Sequence, residues 1–364
     1  MIKPPEYVSA IKPYIPGKPV EELERELGIR GSVKLASNEN PLGPSPRALK
    51  AVHEALTEQK NTNSLNRYPD GSGYYLTNAL AGKLAVNPDE IILGNGSNEL
   101  LDIAVRTYLQ PGDEAVMAHP SFVVYAMGVQ ALGGKSILVP LKNFTHDLEA
   151  MKKAVTAKTK ILFIANPNNP TGTMNTKQEF DDLMKGLPDG ILVVMDEAYY
   201  EYVTDAEYAD SMKHFREGRD ILILRTFSKI YGLAGLRIGY GIAQREIVAE
   251  INKLRPPFNT NSLAQIAALH ALEDATHVKS SREINEQGKM YLYKELSSLG
   301  MQYVPTEANF IFMPVEDAEL MYNRLLRQGI IIRPMGPGAI RVTIGLPEEN
   351  KRFIEALREI TRKQ

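Results

Sequence analysis

Ile221 to Leu224 form an aliphatic run unbroken by any polar residue. A strand of that kind has to be buried on both faces, as in the interior of a parallel sheet. Three more runs share the pattern: Ile191 to Met195, Ile161 to Ala165 and Ile91 to Leu93. Each runs into polar residues at its carboxyl end. Arg225, Thr226, Ser228 and Lys229 follow the first, and Asp196, Glu197 and Tyr199 the second. Asn166, Asn168, Asn169 and Thr171 follow the third in a proline-marked turn. After the fourth come Gly94, Asn95, Gly96, Ser97 and Asn98, then a helix-periodic stretch from Leu100 to Leu109. Open α/β sheets bind ligands outside the carboxyl ends of their strands. One lysine on a loop is ordinarily a solvated side chain. A lysine, an aspartate, a tyrosine and a glycine-rich helix start delivered to one edge predict a cofactor cleft. The glycines at 232, 235, 239 and 241 are further places where backbone could come close to a ligand.

The 364 residues are 43% hydrophobic, enough for two cores, and the length favours two domains. Residues 1–20 are proline-rich and read as an irregular arm; Val20 to Leu27 reads as an amphipathic helix stopped by Gly28. Helices are expected around Ala48 to Glu58 and Tyr74 to Leu84. From Ile91 to Tyr240 apolar strands alternate with helical stretches, the pattern of βαβ crossovers. The helix around Gln244 to Lys253 ends before Pro256 and Pro257, where a boundary is expected. Two helical stretches follow, Leu263 to Leu272 and Thr276 to Leu299, then strand-like runs at Asn309 to Met313, Ile330 to Arg333 and Ile340 to Ile344. The expected division is 1–42 as an arm that also joins the small domain, 43–257 as a large α/β domain, and 258–364 as a small α+β domain.

A net charge of −2 gives no electrostatic case for nucleic acid or an anionic membrane, so the partner is expected to be a small molecule. No apolar run approaches the roughly 18 residues a membrane span requires, and the amino terminus lacks a signal-peptide core. The expected location is the cytoplasm. With no cysteine there is no disulfide, thiolate nucleophile or cysteine zinc site, and the six histidines show no ligand-like spacing, so no metal is expected.

In their order and spacing, NPNNPTG (166–172), DEAYY (196–200) and TFSKIYGLAGLRIG (226–239) resemble the fold-type I pyridoxal 5′-phosphate-dependent aminotransferases. The resemblance runs essentially from end to end. Within that group, KPYIPGKPVEEL, LASNENPLGPSP, NRYPDGSG and AIRVTIG are most similar to histidinol-phosphate aminotransferases. The fold this implies is a large domain with a mainly parallel central sheet flanked by helices, plus a smaller α+β domain.

The resemblance also implies roles. Lys229 is the Schiff-base lysine and proton shuttle, Asp196 holds the pyridine nitrogen protonated, and Tyr199 and Asn169 donate to the phenolic oxygen. Gly96, Ser97 and Asn98 at a helix start, with Thr226, Ser228 and Arg237, take the cofactor phosphate. Phe122 stacks on the ring. Tyr68 reaches the phosphate from a neighbouring subunit, which implies a homodimer with shared sites. Arg341 grips the substrate's phosphate in one half-reaction and the glutamate carboxylate in the other. Tyr14, Asn38, Asn259 and Arg333 are the remaining substrate contacts. The resemblance further allows a cis peptide bond at Asn169–Pro170.

The function expected is ping-pong transfer of the amino group of histidinol phosphate to 2-oxoglutarate. An aromatic amino-acid aminotransferase and a threonine-phosphate decarboxylase share the same catalytic core and stand as alternatives. A non-catalytic ligand sensor on this fold would usually carry a fused DNA-binding domain, and none fits before residue 40.

Overall fold

The computed structural model describes residues 2–57 and 65–362. Glu58, the expected end of the helix that runs Pro46–Thr57, lies outside them. The centre is a seven-stranded sheet. Across it lie Ile91–Gly94, Gly239–Ile242, Ile221–Thr226, Leu192–Asp196, Thr159–Ala165, Glu114–His119 and Lys135–Pro140. Only Gly239–Ile242 runs against its neighbours.

Alternate side chains of the central strands feed two separate cores. Val193, Met195, Ile221 and Ile223 pack with Phe180, Leu183 and Phe215 on one face. Leu192, Val194, Leu222 and Leu224 pack with Leu100, Ile103 and Ile251 on the other. The unbroken apolar runs thus have the cause inferred from sequence, burial on both faces. Each fully buried aliphatic side chain contributes roughly 1.5–3 kcal/mol.

The reversed strand was not read from sequence. Its glycines serve strand packing: a Cβ at Gly239 would stand 2.5 Å from Ser97 N and 2.9 Å from the Arg225 carbonyl oxygen. That closeness brings the helix start at Ser97 against the end of the Ile221–Thr226 strand. Arg225, taken from sequence as part of a polar tip, is buried and ion-paired with Glu197 at 2.8 Å beneath the Tyr200 ring.

A third core forms around the antiparallel sheet of Arg333–Pro334, Ala339–Thr343 and Phe310–Pro314. Leu292, Leu296, Phe353 and Leu357 cover it from helices Ala275–Ser298 and Pro347–Arg362. The run expected as one strand from Ile330 to Arg333 is split. Ile330–Ile331 pairs in parallel with Val33–Lys34, and Arg333–Pro334 pairs with the Ala339–Thr343 strand. Val33 and Leu35 thereby enter this third core.

The expected boundary falls at 257. Helix Ser262–Leu272 lies beyond that boundary yet buries Ala264, Ala267, Ala268 and Ala271 in the first core with Ala48 and Leu80. Its small side chains let the helix lie close against Pro46–Thr57. The arm carries a one-turn helix, Glu6–Ser9, that was not anticipated. Val20–Leu27 ends as read, with Gly28 at φ 65°. Cis peptide bonds occur at His119–Pro120 and Asn166–Pro167, not at Asn169–Pro170.

Candidate active site

The carboxyl ends of three adjacent parallel strands open into one pocket. Asp196 ends the Leu192–Asp196 strand, Thr226 the Ile221–Thr226 strand and Ala165 the Thr159–Ala165 strand, and all three line it. Lys229 lies three residues beyond Thr226. Its Nζ donates to the Ser37 carbonyl oxygen at 3.2 Å and stands 5.7 Å from the centre of the Tyr199 ring. Burial, then the positive charges of Arg341 and Arg237, pull its pKa down to about 8 against the opposing pull of Glu39 and Asp196. At pH 7 roughly one amine in ten is then neutral, against about one in three thousand at the ordinary lysine value.

Asp196 is buried, and its two oxygens accept from the Tyr125 hydroxyl at 2.7 Å and from Ala198 N at 3.2 Å. Burial raises its pKa, and these two donors hold the rise in check. Tyr125, stacked on Phe163 with ring centres 4.8 Å apart, is a pocket residue that sequence reasoning missed. It lies three residues after Phe122, one helical turn, and that spacing was the available signal.

Gly96, Ser97 and Asn98 line the pocket at the start of helix Ser97–Tyr108. The cap residue Gly96 has φ 77° and no side chain to bond the helix's first N–H groups. Arg237 faces it: a Cβ at Gly96 would be 2.7 Å from Arg237 Nη2. Arg237 itself has φ 59°, and its Nη1 donates to Ser228 Oγ at 3.4 Å and the Ala234 carbonyl oxygen at 3.1 Å. Thr226, Ser228 and Arg237 thus surround a helix N-terminus, a place that favours an anion.

Arg341 is buried in the same pocket. Its Nη1 donates to Asn169 Oδ1 at 2.5 Å and its Nη2 to the Ala36 carbonyl oxygen at 2.7 Å; its Nε has no partner among the described residues. With its oxygen occupied, Asn169 has N–H groups to offer. Tyr199 accepts from Asn38 Nδ2 at 2.9 Å, so Asn38 reaches the pocket through the tyrosine hydroxyl. Phe122 and Tyr14 complete the sequence-predicted wall.

Three expected residues do not line this pocket. Arg333 pairs with Arg341 on the adjacent antiparallel strand, and its guanidinium lies 5.0 Å from the centre of the Tyr14 ring. Asn259 is committed to Glu99, Arg255 and the Leu93 carbonyl oxygen. Tyr68 is 82% exposed and stacks on Phe258. Among the described residues no cluster could hold a metal ion, and no helix is long and apolar enough to cross a membrane.

Residues 30–357 match the family model for aminotransferase class I and II. The chain belongs to that family. As an aminotransferase it is 51% identical over 361 residues to the histidinol-phosphate aminotransferase of Moorella thermoacetica, covering 98% of this chain and 92% of that one. It is 48% identical to histidinol-phosphate aminotransferase 1 of Nitrosococcus oceani, covering 97% and 95%. The histidinol-phosphate aminotransferase of Sinorhizobium meliloti, solved in complex with pyridoxal 5′-phosphate, superposes with a TM-score of 0.90 at 27% identity, covering 98% and 97%. An aspartate aminotransferase of Thermus thermophilus, at 24% identity and a TM-score of 0.84, shares the fold.

The donor set of this aminotransferase pocket suits pyridoxal 5′-phosphate. Lys229 could bond its aldehyde, the buried carboxylate of Asp196 could meet its ring nitrogen, and the uncapped helix start facing Arg237 could take its phosphate.

Proposed function

We propose that this aminotransferase uses pyridoxal 5′-phosphate, in the pocket around Lys229, to pass the amino group of L-histidinol phosphate to 2-oxoglutarate. The products are imidazole acetol phosphate and L-glutamate, and the step belongs to histidine biosynthesis. The observation that carries this reading is Arg341, a buried guanidinium whose Nε has no partner among the described residues, in the same pocket as Lys229. A fixed cation there suits a substrate ending in phosphate, and relatives named for histidinol phosphate match nearly the whole chain.

When bound, the cofactor ring supplies an electron sink for the carbanion left as the substrate Cα loses its proton. The chain's own groups do the rest. Lys229, its pKa lowered to about 8, would hold the cofactor through its neutral amine, and the same amine, when free, would take the proton from the substrate Cα. Asp196, whose rise in pKa on burial is checked by Tyr125 and Ala198, would keep the ring nitrogen protonated as its carboxylate partner. Tyr199 and Asn169 would donate to the ring oxygen, and Phe122 offers a ring for it to stack on. The helix start at Gly96, Ser97 and Asn98 would bind the phosphate with Thr226, Ser228 and Arg237. Arg341 takes the substrate's phosphate or, in the return half-reaction, the carboxylate of glutamate. Its planar fork suits both anions.

Tyr14 borders the substrate end, and Arg333 lies next to it over the Tyr14 ring. The reading includes a homodimer in the cytoplasm, with Tyr68 of a second copy completing each phosphate site. Its exposure on this chain supports that.

The test is a single half-reaction followed by the visible absorbance of cofactor-loaded protein. L-Histidinol phosphate should convert it to the amine form at far lower concentration than L-phenylalanine. The reverse preference would make the enzyme an aromatic aminotransferase.

A further inference from the structure

We infer that Asn38 is a positioning residue for Tyr199: its amide sets the direction in which the tyrosine hydroxyl donates, and ties that direction to the strand carrying Arg341. The inference rests on the cofactor reading above.

Four successive residues touch four parts of the site. The Leu35 carbonyl oxygen accepts from Thr343 N at 2.8 Å, and that of Ala36 from Arg341 Nη2 at 2.7 Å. The Ser37 carbonyl oxygen accepts from Lys229 Nζ at 3.2 Å, and Asn38 Nδ2 donates to the Tyr199 hydroxyl at 2.9 Å. One short segment therefore touches the lysine, the tyrosine and the arginine strand together.

Thr343 fixes which way the Asn38 amide faces. The Asn38 backbone N–H donates to Thr343 Oγ1 at 2.9 Å, and the threonine hydroxyl donates to Asn38 Oδ1 at 3.1 Å. The amide nitrogen is thereby turned to Tyr199. Asn309 Nδ2 secures the Asn38 carbonyl oxygen at 3.1 Å. Asn38 holds φ 55°, a conformation that asparagine tolerates better than most residues. Asn38 and Tyr199 are 1% and 4% exposed, so water is not at hand to replace their bond.

A phenol has one proton to give. Because its oxygen accepts from Asn38, the Tyr199 hydroxyl keeps that proton for the pocket, where the proposed acceptor is the ring oxygen of the cofactor. Arg341 and Thr343 are two apart on one strand and share a face. A ligand that draws Arg341 therefore acts on the strand that orients Asn38 and, through it, Tyr199.

The readout is the pH midpoint of the visible absorbance of cofactor-loaded protein without substrate. A donor to the ring oxygen stabilises the deprotonated form and lowers that midpoint. Asn38→Ala should raise it by roughly half to one pH unit, the equivalent of one neutral hydrogen bond. Asn38→Asp should raise it further, because a carboxylate takes the hydroxyl proton for itself. In a Tyr199→Phe background the effect of Asn38→Ala should fall to nearly nothing. Thr343→Val leaves residue 38 intact but frees its amide, and should move the midpoint in the same direction; it carries the test if the Asn38 variants do not fold.

An unmoved midpoint in Asn38→Ala or Thr343→Val, beside a raised one in Tyr199→Phe, overturns the inference. So does a shift from Asn38→Ala that persists undiminished without the Tyr199 hydroxyl. Wild-type protein that shows no visible band after loading overturns the cofactor reading itself, and the inference with it; a band that Tyr199→Phe leaves unmoved across the pH range overturns the inference alone.

Discussion

Tyr125 donates its hydroxyl proton to Asp196 across 2.7 Å, deep in the core beneath the pocket. The bond counters the effect of burial, which alone would drive the carboxyl further toward its neutral form. Removing the donor while keeping the ring, by Tyr125→Phe, leaves the stack on Phe163 in place and takes away only this bond. Hydrogen bonds to charged groups are worth about 1.5–3 kcal/mol, so kcat/KM is expected to fall roughly tenfold or more. The sign of the pH effect follows. Losing a partner that lowers the Asp196 pKa raises it, so the acid limb of the pH–rate profile should move to higher pH.

Gly96 faces Arg237 at the helix start, and its φ of 77° excludes most side chains. Gly96→Ala brings a methyl group to 2.7 Å from Arg237 Nη2, too close without a shift, and at φ 77° and ψ 159° adds a backbone cost of about 1–3 kcal/mol. Cofactor affinity, titrated into the cofactor-free protein, should weaken by roughly tenfold or more as the anion site loses Arg237. A comparable loss in Arg237→Gln would show that the two act at one place.

The depressed pKa of Lys229 makes a prediction for cofactor capture. Below about 8 the neutral amine is the minority form, so the rate at which cofactor-free protein bonds pyridoxal 5′-phosphate should rise about tenfold per pH unit and level off above that value. Arg341→Gln removes the largest charge lowering the lysine, and should carry the levelling point to higher pH.

Arg225 and Glu197 form a buried pair whose carboxylate also accepts from Ser211 Oγ. Arg225→Met strands that carboxylate in the core and should cost about 3–5 kcal/mol in a denaturant titration. Replacing both partners by apolar residues should recover a large part of the loss.

The site residues most legible in the sequence were those at strand ends. Lys229, Asp196 and Asn169 each follow an unbroken aliphatic run, and a strand buried on both faces leaves its polar tip nowhere to go but the sheet edge. Tyr125 carries no such mark, because a tyrosine in an apolar helical stretch reads as core, and its role depends on where the helix rests against Asp196. Asn38 was read as touching substrate; its bond to Tyr199 joins residues 161 positions apart, which no local pattern reveals. The strand Gly239–Ile242 was hidden by its glycines, which read as a loop until Ser97 and Arg225 are seen pressed against them. The alanine face of Ser262–Leu272 suits either core, and only its packing on Pro46–Thr57 decides which.

The central role proposed in the pocket is that of Lys229, as the residue that bonds the cofactor. Treating cofactor-loaded protein with borohydride fixes that carbon–nitrogen bond, and peptide mapping by mass spectrometry then locates it. The pyridoxyl phosphate mass should appear on the peptide containing Lys229 and vanish from Lys229→Ala. A label on another lysine, or none on protein that binds the cofactor, would contradict the account.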